Sequence, residues 1–170
     1  MRFTAREFSR TWTRFADGAC ATPTVRVRTE GTYRVIGASP IVPGAIDIEF
    51  RPVAVFLTPL TTTAADVLNA TPFACATDVW FAGVEQQVPA VSGCSVYQIG
   101  AYRGQTEFDI ALVQGTKLFV GAPPGDGGTP DIPQRRPTAL SGPLDLIKAV
   151  SAEILLPATG ADWMMQRVRK

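Results

Sequence analysis

The stretch Thr24-Val25-Arg26-Val27-Arg28-Thr29-Glu30-Gly31-Thr32-Tyr33-Arg34-Val35-Ile36 decides the fold class. From Thr24 to Glu30 apolar and polar residues alternate, with Val25 and Val27 on one side and Arg26 and Arg28 on the other. Successive side chains of a strand point to opposite faces, so a period of two predicts a strand with one face in a core. Gly31 then marks a turn, and Thr32 to Ile36 starts a second strand. Pro40 to Gly44 reads as a loop. Ala45-Ile46-Asp47-Ile48-Glu49-Phe50 repeats the alternation, with Ile46, Ile48 and Phe50 on one face. Val53 to Thr58 follows across Pro52. Proline donates no ladder hydrogen bond, so Pro52 predicts a turn, a bulge or an edge.

The next segment changes character. Thr61-Thr62-Thr63 supplies candidate N-caps and Ala64-Ala65-Asp66-Val67-Leu68-Asn69 continues with helix formers, which predicts one short helix near 62–69. Strands resume at Val79-Trp80-Phe81, Ser95 to Ile99, Thr106 to Leu112 and Lys117 to Val120. Gly104 and Gln114-Gly115 stand where hairpin turns are needed. Short strands so closely spaced predict a mostly β antiparallel barrel, with a β-sandwich as the alternative. Gly121 to Pro133 is rich in glycine and proline and reads as a mobile loop or linker. After Pro143, Leu144, Ile147, Val150 and Ile154 stand at helical spacing and predict a C-terminal helix. The expected organisation is a β-barrel domain over 1–140 and a C-terminal extension over 141–170. Trp163-Met164-Met165 in that extension reads as a packing patch.

Composition narrows the function. The chain has 170 residues, enough for one domain that folds without a metal or disulfide staple. Its 16 basic and 15 acidic residues leave a net charge of +1, too little surplus to neutralise phosphates, so nucleic acid is not an expected partner. There are 0 histidines, which removes histidine bases, histidine triads and every zinc site that needs imidazole. The 3 cysteines, Cys20, Cys75 and Cys94, form no Cys-x-x-Cys pair and leave at least one thiol unpaired within the chain. No cofactor motif of the nucleotide-binding kind is present, and Asp126 and Asp131 lack the pattern of a calcium loop. No stretch reaches the roughly 20 apolar residues of a membrane helix. The first residues carry no apolar signal core. The expected location is the cytoplasm for the chain as written, and outside it if a leader precedes it.

Two strands each place two carboxylates on one face, Asp47 with Glu49 and Glu107 with Asp109. Such pairs can act as acid and base when their pKa values are driven apart. With apolar residues on the opposite faces, the expectation is that these acids face water, opposite Arg26 and Arg28. The aromatic inventory is more informative. A barrel of about eight strands is wide enough for side chains or for one small ligand. Core filling is the commoner role of any one aromatic. Trp80, Tyr33, Phe56, Tyr97 and Phe108 are the candidates for lining a cavity, with Trp80 foremost because it lies beside a turn-rich polar segment ending in Glu85-Gln86-Gln87.

An ordered series of short motifs resembles the APCDD (adenomatosis polyposis coli down-regulated) domain family. It runs through Phe15-Ala16-Asp17-Gly18-Ala19-Cys20 with Pro23, then Glu30-Gly31-Thr32-Tyr33, Gly44-Ala45, Glu49-Phe50 and Leu57-Thr58-Pro59. It continues with Leu68-Asn69, Cys75, Trp80-Phe81-Ala82-Gly83, Cys94, Lys117-Leu118-Phe119-Val120-Gly121 and Arg136-Pro137, so it covers roughly residues 3–140. The resemblance implies a lipocalin-like antiparallel barrel with a lipid-suited cavity, and makes Cys75 and Cys94 the disulfide candidates. The family opens with a Trp and Cys-Glu strand that this sequence lacks. A late start codon is therefore expected, and with the missing strand's cysteine there would be four cysteines and two disulfides. The expected function is a non-enzymatic binding module for an apolar or lipid-like small molecule. The alternatives are a small barrel enzyme of cyclase or isomerase type, using carboxylate or tyrosine chemistry, and a protein-interaction domain.

Overall fold

A computed structural model describes residues 1–70, 75, 79–123, 125, 129–148 and 163–166, with the backbone alone over 145–148 and 163–166. Its strands are β1 (Arg2–Phe3), β2 (Glu7–Phe15), β3 (Pro23–Ala38), β4 (Ile46–Pro59), β5 (Gln86–Gln87), β6 (Glu107–Gln114), β7 (Lys117–Val120), β8 (Leu144–Lys148) and β9 (Trp163–Gln166). One α-helix, α1 (Thr62–Ala70), follows β4, and short 3₁₀ turns span Ser95–Tyr97 and Pro133–Arg135. The strands pair in the order β3-β2-β1-β9-β8-β7-β6-β4-β5, and β3 also pairs with β4. That additional pairing returns the order to its first strand, which is barrel-like connectivity. The ladders β1–β9, β4–β6, β6–β7, β7–β8 and β8–β9 are antiparallel. The fold is thus mostly β, antiparallel and barrel-like, with one short helix among the described residues.

The chain divides into two compact units; three of the four divisions fall inside β2, β3 and β4, and the fourth falls between Gly104 and Gln105, before β6. The first unit takes Met1–Phe8, Gly31–Arg51 and Gln105–Lys170. Its core gathers Phe8, Ile48, Phe50, Ala111 and Leu118, with Phe3, Tyr33, Val120 and Leu144 packed against them. Phe8 meets Phe50 at 4.8 Å between ring centres and 65° between planes, an edge-to-face contact that suits the positive edge and negative face of the rings. The β6–β7 hairpin turns through Gly115, whose φ of 58° is open to glycine at little cost, between paired Gln114 and Lys117.

The second unit takes Ser9–Glu30 and Pro52–Gly104. Val25 and Val27 are buried in its core with Val55, Leu57, Leu68, Trp80, Val88 and Tyr102. Ala64, Ala65 and Leu68 of α1 also face this core. Thr61 caps the helix, its Oγ1 accepting the Ala64 N–H at 3.1 Å, and so occupies one of the orphan amides of the first turn. Cys75 and Cys94 are joined by a disulfide within the same core, and Cys20 is a free, exposed thiol.

Five expectations change. Gly31 is no turn: β3 runs through it without interruption. A Cβ at Gly31 would lie 2.2 Å from the Arg51 carbonyl oxygen, so the residue is glycine because two backbones meet there. Pro52 breaks nothing either. It makes no turn, since β4 continues through it; β4 pairs with β6 over Ile46–Phe50 and with β5 at Phe56 and Leu57, and Pro52 lies outside both of these stretches. Val79 to Phe81 is not a strand. Asn69 takes both backbone groups of Trp80, accepting its N–H at 2.8 Å and donating Nδ2 to its carbonyl at 3.0 Å. Ser95 to Ile99 is a tight loop rather than a strand. Cys94 and Ile99 exchange backbone hydrogen bonds of 2.6 and 2.9 Å, and Gln98 is left-handed. Finally, Leu144–Lys148 is β8 and not helix: it pairs with β7 and β9, and these ladders override a helical spacing carried partly by the β-branched Ile147. Val150 and Ile154 lie outside the described residues.

Candidate functional site

The end of β2 and the turn after it build the larger hollow, which belongs to the second unit. Its lining is Trp12, Thr13, Arg14, Phe15, Asp17, Cys20, Tyr97 and Gln98, and its volume is about 570 Å³. Strand alternation leaves Trp12 and Arg14 exposed while Thr13 and Phe15 are half-buried. Asp17 then fixes the turn. Its Oδ1 accepts the Ala21 N–H at 3.0 Å and its Oδ2 the Thr22 N–H at 2.8 Å. The Ala21 amide, and after it Thr22, hold the Asp17 carboxyl below the usual range. Cys20 adopts a left-handed φ of 55° at the rim.

Across the hollow, the loop closed by Cys94 and Ile99 presents Tyr97. Its ring packs against the core of the second unit, and burial pushes its phenol pKa up while Arg14 opposes that shift. The Arg14 guanidinium stands 5.9 Å from the Tyr97 ring centre, within the range of cation–π attraction. The result is a shallow, open depression with aromatic walls and one cation. Its volume lies in the range of small-molecule sites, roughly 300–1,000 Å³.

A smaller hollow of about 130 Å³ belongs to the first unit and is lined by Thr32, Tyr33, Arg34, Glu49 and Arg51. Arg34 Nη2 and Glu49 Oε2 are 2.9 Å apart across it.

The aromatic candidates do not converge on one site. Tyr97 lines the larger hollow and Tyr33 the smaller one, where its hydroxyl donates to the Thr4 carbonyl at 2.9 Å. Trp80, the foremost candidate, is instead 2% exposed in the core of the second unit. Its place follows from the Asn69 clamp and the neighbouring Cys75–Cys94 disulfide. Phe56 and Phe108 each lie beneath an arginine: Arg28 is 4.1 Å from the Phe56 ring centre and Arg136 is 5.5 Å from that of Phe108.

The acidic pairs also differ from expectation. Glu49 is buried and meets Arg34, while Asp47 meets Arg136 at 3.3 Å. Arg136 Nη1 also donates to the Asp109 carbonyl at 3.0 Å. Asp109 uses its Oδ1 to accept the Gly121 N–H at 2.9 Å. These acids do not face water opposite Arg26 and Arg28, because the segment carrying Arg136 lies over that face of β4 and β6. Arg28 pairs with Glu30 and Glu85. Asp131 stands 4.0 Å from Arg135, and Asp126 lies outside the described residues.

Arg14, Asp17 and Cys20 were not singled out as site residues in the sequence. The signal for them is Asp17-Gly18, a turn dipeptide placed directly after the aromatic end of β2. What no pattern announces is that Tyr97 comes to the same place, since it is carried there by a loop closed far along the chain. No model of a known protein family matches the chain.

Proposed function

We propose that this protein is a non-enzymatic binding module for an apolar or lipid-like small molecule, and that the hollow between Trp12, Phe15 and Tyr97 receives it. The observation that carries this reading is the exposure of Trp12, 41%, on the wall of a 570 Å³ depression that also contains Phe15 and Tyr97. A large indole left in water is costly, and covering it with an apolar ligand recovers about 25 cal/mol for each Å² removed from water. Arg14 borders the site and can add cation–π attraction to an aromatic ring of a ligand. The motif series resembling the APCDD family supports the same ligand class. The Cys75–Cys94 disulfide supports an oxidising setting for the protein.

Titration with the neutral fluorophore Nile red tests the proposal. The wild type is expected to bind it with a blue-shifted, enhanced emission, and Trp12→Ala to weaken binding roughly tenfold, the effect of losing about 1.4 kcal/mol of apolar contact. Because Trp12 is exposed, the variant should keep its unfolding midpoint. Equal Nile red affinity in wild type and folded Trp12→Ala would overturn the assignment of this hollow.

A further inference from the structure

We propose that the smaller hollow of the first unit is a binding site for a phosphate-class oxyanion. This inference is independent of the apolar site, since it rests on different residues in a different unit.

The site follows from strand alternation. Thr32 and Arg34 stand two apart on β3, and Glu49 and Arg51 two apart on β4, so each pair shares a strand face. The pairing of β3 with β4 brings the four side chains to one hollow. Gly31 lets the strands approach closely beside it, because its absent Cβ would otherwise collide with the Arg51 carbonyl. The volume is about 130 Å³. At roughly 30 Å³ for each water, that is room for about four waters, or for one tetrahedral oxyanion. It is too small for the apolar ligands of ordinary binding pockets.

Charge selects the ligand. Two guanidiniums and one carboxylate line the hollow, an excess of one positive charge. The carboxylate is already committed: Glu49, buried, meets Nη2 of Arg34 at 2.9 Å. That contact uses one of the five N–H donors of Arg34, whose side chain is otherwise 66% exposed, and leaves the rest of the fork presented. Arg51 makes no ion pair with a described residue. Its planar fork suits bidentate contact with phosphate oxygens. The Thr32 hydroxyl adds one more donor. Glu49 acts as a positioning residue that fixes Arg34, and the incoming anion supplies the counter-charge that Arg51 lacks.

Calorimetric titration of the full chain with inorganic phosphate, against chloride at matched ionic strength, tests this. Specific binding of phosphate is expected, and Arg51→Gln and Arg34→Gln are each expected to weaken it roughly tenfold or more, the scale of a lost charge-assisted hydrogen bond. Arg51 is exposed, so Arg51→Gln should keep the wild-type unfolding midpoint in chloride, whereas Arg34→Gln strips the buried Glu49 carboxylate of its partner, should lower that midpoint, and is titrated well below it. A parallel sedimentation assay with phosphatidylcholine vesicles, with and without phosphatidic acid, separates the two sources of the same chemistry. Binding to free phosphate identifies a soluble oxyanion. Binding only to phosphatidic acid vesicles, lost in the two variants, identifies a lipid headgroup. Binding to neither, or binding that survives both substitutions, would overturn the proposal.

Discussion

Arg28 is shared by three neighbours in the second unit. Its Nε and Nη2 donate to the two Glu85 oxygens at 3.1 and 2.6 Å, it contacts Glu30, and its guanidinium covers the Phe56 ring. Phe56, a cavity candidate in the sequence, lines neither of the two hollows and has this cation over its face. The hydrogen bonds from Arg28 hold the Glu85 carboxyl below the usual carboxylate range. A depressed folded-state pKa gives stability that is complete above the unfolded value, about 4.3 for glutamate, and is lost as pH falls through the folded value. Glu85→Gln should therefore lower the urea midpoint at neutral pH. The gap to wild type should close as pH drops below about 4. A gap that stays constant through this acid range would show that the pair does not carry it. The partners are partly exposed, so added salt should also narrow the neutral-pH gap.

At the scale of elements, the decisive local feature is β3, whose 16 residues pass through Gly31. Alternation in the sequence identified both halves as strand but could not tell a turn glycine from a glycine needed for close approach, since both omit a side chain. The structure distinguishes them by what surrounds the missing Cβ: the Arg51 carbonyl oxygen at 2.2 Å and Phe8 Cε1 at 2.9 Å. Backbone atoms cannot move aside as a side chain can, so Gly31→Ala should cost about 1–3 kcal/mol in urea unfolding, the scale of overpacking. Gly18→Ala, with nothing within 4 Å of its Cβ, is the control and should be nearly neutral. Equal midpoints for the two variants would refute the close-approach role. Elements with local causes were read well. α1, expected near 62–69 from its threonines and alanines, spans Thr62–Ala70 with Thr61 as its cap. Elements whose cause lies in a distant partner were not, as with β8 and the Trp80 segment.

At the scale of the molecule, the Cys75–Cys94 bridge closes a loop of separation 19 inside the core of the second unit, where both residues are almost wholly buried. Restricting a loop of this size in the unfolded chain is worth about 3 kcal/mol. Cys75→Ser with Cys94→Ser should lower the thermal midpoint accordingly, and reduction of the wild type should reproduce the loss; Cys20→Ser should leave it unchanged. A wild type indifferent to reductant would argue against the bridge.

The sequence alone determined that the chain is mostly β and antiparallel, with a short helix near 62–69. It also determined that histidine chemistry is absent. Both follow from composition and from periods of a few residues, which are local properties. The tertiary structure alone decided that Trp80 fills a core, that Glu49 and Asp47 are paired with Arg34 and Arg136, and that Tyr97 faces Trp12 and Arg14. Each of these depends on which distant segments meet, and pairing between strands far apart in sequence leaves no trace in the local pattern of either strand.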